Sequence, residues 1–200
     1  MITVIELGCA NTASVLFALD RLKAEAKLSS APAEIAAATK VVLPGVGAAG
    51  FAMARIHALG LFDIIRNLQV PLLGVCLGQQ LLFEGSDEGD VTCLGLIPGR
   101  VTKIEASHDL VVPHMGWNQL TIAPHYPLPP DPLTEGVHDG DYAYFVHSFA
   151  CPVNDCTIAT STYGRPFAAM VRRANVWGCQ FHPERSSATG ARILENFVKL

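Results

Sequence analysis

Val70-Pro-Leu-Leu-Gly-Val-Cys-Leu-Gly-Gln-Gln80 is the stretch on which the fold turns. Its first half is a short apolar run of the kind that forms a strand buried on both faces, and the apolar stretch after it reads as a helix. Gly74 and Gly78 flank Cys76 at two-residue spacing. A sharp strand-to-helix turn needs small residues on both sides of its tip. It lifts the central side chain clear of the sheet and aims the following backbone N–H groups at the same spot. The pattern predicts a nucleophile elbow with cysteine at its tip. Taken alone, the same spacing also fits a buried structural cysteine in a βα turn.

Outward from this unit the strand-then-helix order recurs. Residues 2–7 read as a strand, and Asn11 or Thr12 can cap a helix whose Val15, Leu19, Leu22 and Ala26 share one face. Lys40-Val-Val-Leu43 reads as a second strand, with helical segments over 51–57 and 61–69. Short apolar strands alternating with helices predict a parallel sheet covered on both faces, a doubly wound, flavodoxin-like α/β fold. From residue 100 the runs alternate polar and apolar: 100–105, 118–122, 141–147, 157–162 and 167–173. These predict hairpin-type strands, making the sheet mixed while its first half stays mainly parallel. Ala123 to Thr134 holds five prolines and reads as an exposed loop. Residues 186–200 close the chain as an amphipathic helix with Ile193, Leu194, Phe197 and Leu200 on one face. One domain over 1–200 is expected.

Composition narrows the partners. With 50% hydrophobic and 16% charged residues in 200, the chain fills one core, and a net charge of -4 gives no basic face for nucleic acid or anionic lipid. The six cysteines show neither C-x-x-C pairs nor zinc-type spacing, and the chain opens on Ile-Thr-Val-Ile-Glu rather than a signal-peptide core, so reduced thiols in a cytoplasm are expected. No apolar stretch approaches the ~20 residues that span a bilayer. His57 and His125 read as solvent-exposed and His108 and His138 as turn residues. No metal and no cofactor are expected.

Chemistry enters with Gln180-Phe-His-Pro-Glu184. Read as an extended segment, it sends His182 and Glu184 off the same side of the backbone. A thiol needs a base to become a thiolate, and an imidazole needs an acceptor on its other nitrogen to fix its tautomer. Cys76, His182 and Glu184 therefore fill a complete set of catalytic roles. Pro44-Gly-Val-Gly-Ala-Ala-Gly50 follows a predicted strand and is either a phosphate cradle or a loop presenting amides to an oxyanion. It lacks the Lys-Ser/Thr ending of a P-loop and the G-x-G-x-x-G spacing. A tetrahedral intermediate needs two N–H donors; Leu77, after the nucleophile, supplies one, and this loop is the natural source of the other. Gly45 and Gly47 would let the peptide around Val46 turn its N–H toward or away from that oxyanion.

With these residues in hand, the chain resembles the class I glutamine amidotransferases. Within that family the likeness is to glutaminase subunits of imidazole glycerol phosphate synthases. It is carried by Leu43-Pro-Gly-Val-Gly-Ala48, the elbow, Gly95-Leu-Ile-Pro-Gly-Arg-Val101, Pro113-His-Met-Gly-Trp-Asn118, Tyr144-Phe-Val-His-Ser148 and residues 182–197. The resemblance implies hydrolysis of glutamine to glutamate and ammonia. Ammonia then passes to a (β/α)8-barrel cyclase subunit in a heterodimer, for histidine biosynthesis. It also implies that Cys76 attacks, His182 moves protons and Glu184 orients His182. By the same carry-over Val46, Gly47 and Leu77 form the oxyanion hole, Gln80, Ser148 and Phe149 hold the substrate's amino-acid end, and Asn11 and Arg185 face the partner. Trp117 reads equally as a core aromatic or an interface anchor. Three positions depart from the family pattern: Ala10 where Gly is usual, Gln79 where Met is common, and Arg185 where Lys is common. Alternative readings are a glutaminase subunit of another class I amidotransferase, a stand-alone cysteine hydrolase, and a flavodoxin-like binding module with a structural Cys76.

Overall fold

The computed structural model describes all residues except 9–11, 46, 109 and 124–129. Its first part runs β1 (Ile2–Ile5), α1 (Thr12–Arg21), β2 (Ala26–Ser29), α2 (Pro32–Ala36), β3 (Lys40–Gly45), α3 (Ala49–Ala58), α4 (Phe62–Arg66), β4 (Leu72–Cys76) and α5 (Leu77–Leu82). The remainder runs β5 (Gly85–Ser86), β6 (Val91–Thr92), β7 (Arg100–Lys103), β8 (His114–Gln119), β9 (Thr121–Ile122), β10 (Tyr142–His147), β11 (Phe149–Ala150), β12 (Thr157–Tyr163), β13 (Arg165–Arg173), β14 (Val176–Cys179) and α6 (Ser187–Lys199).

The large sheet has the order β2-β1-β3-β4-β14-β13-β12-β9. Strands β2, β1, β3, β4 and β14 are parallel, and β13, β12 and β9 add on antiparallel. That parallel order is the flavodoxin-like 2-1-3-4-5 arrangement. Alternation along the strands explains the double covering. Val4, Val42 and Leu73 pack with Val15, Leu19, Ile193 and Phe197 on one face. Their neighbours Ile5, Val41, Leu43 and Leu72 pack with Ile35, Ile56 and Leu82 on the other. Two smaller sheets, β10-β8 and β11-β7-β5-β6, stand apart from this frame.

Several expectations need correction. Helix α1 ends at Arg21, and Ala26 begins strand β2 instead of continuing its face. Lys23 adopts φ 57, and the Lys23 and Ala24 amides bond back to Asp20 and Leu19, which closes the helix. The run 118–122 is two strands in different sheets, because β8 pairs with β10 whereas β9 pairs with β12. Residues 180–184 are not extended throughout: Pro183–Arg185 is a 3₁₀ turn started by Pro183 at its first position. The proline-rich loop is tied down at its end, where Asp131 accepts from Leu133 N, Trp177 Nε1 and Arg172 Nη1, and Leu133 and Thr134 are buried. Half of that loop, residues 124–129 with His125 among them, lies outside the described residues.

Strand β14 positions the site. It pairs parallel with β4, with Cys179 beside Val75, so residues 180–182 leave the sheet at the edge where Cys76 ends β4. In open α/β sheets this carboxyl edge is where ligands bind.

Candidate active site

Cys76 closes β4 and caps α5 with φ 54 and ψ −109, a left-handed backbone that a non-glycine residue adopts at a cost of about 1–3 kcal/mol. Close packing holds it there. A Cβ on Gly74 would stand 2.6 Å from the Gly78 carbonyl oxygen, and one on Gly78 would overlap the Leu43 carbonyl. Gly45, paired with Cys76 across β3 and β4, would bring a Cβ to 2.8 Å from that of Leu77. Gly45 therefore supplies room rather than a special φ, contrary to expectation. Gly47 does the reverse, with φ +99 and open space around it.

His182 arrives from β14. The His182 amide donates to Tyr144 O at 2.9 Å, and Ser186 Oγ, which accepts from Tyr144 N, donates to His182 O at 2.7 Å. These bonds tie the 3₁₀ turn to β10. His182 Nδ1 lies 2.9 Å from Glu184 Oε1, so the turn brings the two side chains together as the extended reading expected. Burial opposes a charge on His182. The hydrogen bonds to Cys76 and Glu184 outweigh it and push the imidazole up to about 10. Glu184 Oε2 is buried and bonded to no described residue.

At the elbow, Cys76 Sγ donates to Val146 O at 3.7 Å, and Gln180 Nε2 donates to Sγ at 3.9 Å. A cleft of about 310 Å³ opens on these groups, lined by Gly47, Leu77, Gln80, Ser148 and Phe149 together with Cys76 and His182. Both Gln80 amide hydrogens are committed, to Phe149 O at 2.9 Å and Gln180 Oε1 at 3.2 Å, so what Gln80 offers a ligand is its carbonyl oxygen. Burial pushes the Cys93 thiol up to about 11 and raises Cys151, Cys156 and Cys179 as well. The five described cysteines are free thiols.

Val46 and Asn11 lie outside the described residues. Trp117 and Arg185 do not line the cleft. Trp117 is 52% exposed, which removes the core reading, and packs edge-on to Tyr144 beside exposed Met115 and Tyr142. Arg185 is exposed on the 3₁₀ turn. Gln79 is fully buried, donating to Ala168 O while its own Oε1 accepts no hydrogen bond from the described residues.

Sequence reasoning passed over Glu88, the one carboxylate among the described residues lining the cleft. It accepts from Ala49 N at 2.7 Å, capping α3 from a distance. Its setting, Gly85-Ser-Asp-Glu-Gly-Asp90, reads as an ordinary acidic turn, and no local pattern distinguishes it. His114 and His147 were legible only as parts of motifs, although strict alternation along their strands would have put both on the inner face.

A cysteine elbow, an adjacent His–Glu pair and a cleft beside them meet at the carboxyl edge of a doubly wound sheet. The family model described as "Glutamine amidotransferase class-I" matches residues 3–200, and the chain belongs to that family. It is 48% identical, over 100% of its own length and 97% of theirs, to proteins named "Imidazole glycerol phosphate synthase subunit HisH" from Xylella fastidiosa (strain Temecula1 / ATCC 700964) and Xanthomonas axonopodis pv. citri (strain 306). Its fold matches a solved structure titled "Crystal structure of glutamine amidotransferase" with a TM-score of 0.75 at 18% identity, covering 99% of this chain and 97% of that one. Among the described residues no helix is long and apolar enough to cross a membrane, and no three His, Cys, Asp or Glu side chains are grouped to hold a metal ion.

Proposed function

We propose that the chain is a single-domain glutaminase subunit of imidazole glycerol phosphate synthase, working in the cytoplasm as a heterodimer with a (β/α)8-barrel cyclase. The observation that carries the chemistry is the convergence of strained Cys76, the His182–Glu184 pair and Gln80 on one cleft. The likeness to HisH proteins over the full chain supports the pathway and the partner.

In this reading His182 takes the Cys76 proton, and the resulting thiolate attacks the side-chain amide carbon of glutamine, forming a C–S bond and a tetrahedral oxyanion. The Leu77 N–H and the loop through Val46 and Gly47 stabilise that oxygen. His182, kept protonated by its contacts, gives a proton to the departing nitrogen, and the C–N bond breaks to leave a thioester and ammonia. His182 then takes a proton from water, whose oxygen attacks the thioester; glutamate leaves and the sulfur regains its starting state. Glu184 holds the imidazole by its Nδ1–H. At the amino-acid end, Glu88 meets the ammonium, the Gln80 oxygen accepts from it, and the Ser148–Phe149 backbone borders the carboxylate. Ammonia is channelled to the cyclase, which docks on a face of this chain that includes Trp117, Asn11 and Arg185; the exposed Met115, Trp117 and Tyr142 strip on the β8·β10 pair supports that face.

The test is covalent. A glutamine-mimicking electrophile should label Cys76 and spare Cys93, Cys151, Cys156 and Cys179, whose thiolates burial disfavours, and Cys76→Ala should remove both labelling and glutamine hydrolysis. Hydrolysis by Cys76→Ala at the normal rate would refute the mechanism. Glutamine hydrolysis that no cyclase subunit influences would favour the stand-alone hydrolase.

A further inference from the structure

His114 and His147 stand directly opposite each other in the antiparallel β8·β10 pair, and both are buried. Nothing in the mechanism above uses them. His147 Nδ1 lies 2.8 Å from Phe149 O, and its Nε2 lies 2.9 Å from His114 Nδ1. His114 Nε2 in turn lies 3.4 Å from Asn118 Nδ2. The ends of this chain fix every proton in it. A carbonyl oxygen only accepts and an amide nitrogen only donates, so each neutral ring carries its hydrogen on Nδ1. Hydrogen bonds then run in one direction, Asn118 to His114 to His147 to Phe149. Asn118 is pinned at the far end by donating to Thr162 O at 2.9 Å and accepting from Gln119 N at 2.8 Å, and Tyr163 stacks on His114 at 4.0 Å.

The near end of the chain lies in the cleft. Phe149 O also accepts from Gln80 Nε2, so His147 and Gln80 together fill both of its lone pairs. Ser148 O is held by Ile104 N at 2.9 Å, and Val146, His147, Ser148 and Phe149 all line the cleft. A buried histidine serving only to fill space would not need its tautomer fixed by a second buried histidine, nor spend its proton on the carbonyl that orients Gln80.

We propose that His147, with its tautomer set by His114, is a positioning residue for glutamine binding: it locks the 147–149 turn so that the Ser148–Phe149 backbone and the Gln80 oxygen face the substrate in one geometry. The proposal rests on the reading of the cleft as the glutamine site. A residue that acts on ground-state and transition-state binding alike changes KM and leaves kcat alone.

The experiment uses the complex with the cyclase subunit. Loss of one buried hydrogen bond in His147→Leu should raise the glutamine KM roughly tenfold while kcat stays within about threefold. His147→Asn places its Nδ2 where Nδ1 was, keeps the bond to Phe149 O, and should hold KM within about threefold of the unaltered enzyme. Product formation from added ammonium should be the same in all three, showing that fold and assembly are intact. On the unaltered protein, nitrogen-15 NMR of the ring at neutral pH should report a neutral His147 protonated on Nδ1, a readout that needs no variant to fold. An unchanged KM in His147→Leu, equal impairment of Leu and Asn variants, or a His147 that is cationic or protonated on Nε2 would each overturn the proposal. An unaltered complex that neither hydrolyses glutamine nor is labelled at Cys76 would refute the glutaminase reading and this inference with it. An active, labelled complex indifferent to His147→Leu would refute only the inference.

Discussion

The floor of the cleft and its opposite wall are built by different means. At the floor, β3, β4 and α5 meet so closely that Gly45, Gly74 and Gly78 leave no room for a Cβ, and Cys76 is held in a left-handed conformation by backbone packing. At the wall, residues 146–149 run from β10 into β11 on backbone ladders with β8 and β7, and the turn between them is fixed further by side chains: His147, Gln80 and, further back, His114 and Asn118. A backbone-built feature fails abruptly, because one added methyl has nowhere to go. A side-chain-built one fails by degrees, one hydrogen bond at a time. On the proposed mechanism the floor presents the reacting sulfur and the wall binds glutamine, so damage to the first should strike turnover or folding and damage to the second should strike KM.

The largest effect is expected at Gly78. The new Cβ of Gly78→Ala would overlap the Leu43 carbonyl, forcing α5 off β3, and should destabilise the protein by roughly 3 kcal/mol or more or prevent folding. Urea unfolding of the purified chain measures this; a shift below about 1 kcal/mol would contradict a backbone-packed floor.

Gly47→Ala tests the floor without crowding, since space around Gly47 is open and only its φ of +99 resists the substitution. It should cost about 1 kcal/mol of stability and cut turnover of the cyclase-bound enzyme roughly tenfold or more, because a misdirected oxyanion donor is missed in the transition state rather than in bound glutamine. Steady-state kinetics with cyclase ligand present separate the two; a change confined to KM would remove Gly47 from the oxyanion hole.

A pH series should produce a smaller, graded effect at the wall. Burial lowers His114 to about 4, and burial, with the charges of His182 and His114, lowers His147 to about 4. Between about pH 6.5 and 4 the unfolded chain binds protons that the folded one refuses, so stability should fall as pH drops through that window. His182 works in the opposite direction: its contribution is complete below pH 6.5 and disappears as pH rises toward about 10. Replacing His114 and His147 together by Phe and Leu should flatten the acid limb of a denaturation-midpoint profile; an unchanged acid limb would mean that carboxylates dominate it.

The floor was largely legible in the sequence and the wall was not, for a physical reason. Gly74-Val-Cys-Leu-Gly78 is a local pattern, since strand, turn and helix are contiguous and Gly74 makes room for Gly78 four residues on, although the Leu43 carbonyl that Gly78 accommodates comes from β3. His182 and Glu184 were legible because they lie two apart, although a 3₁₀ turn, not an extended strand, brings them together. By contrast His114 meets His147 across 33 residues and Gln80 meets Gln180 across 100, pairings that only the topology creates. Strand β14 was missed for the same reason. Val176-Trp-Gly-Cys179 is too short to stand out, yet its place beside β4 is what carries His182 to Cys76. Glu88 was hidden in a turn whose acidic residues look solvated, one of which caps α3 from 39 positions away.

The central claim is that Cys76, His182 and Glu184 release ammonia for a separate cyclising subunit. The direct measurement compares two activities of one complex carrying His182→Ala. Product formed from glutamine should fall by about 10³-fold or more, since the group that protonates the leaving nitrogen is gone. Product formed from added ammonium at raised pH should match the unaltered complex. Loss of both activities, or survival of the glutamine-dependent one, would contradict the account.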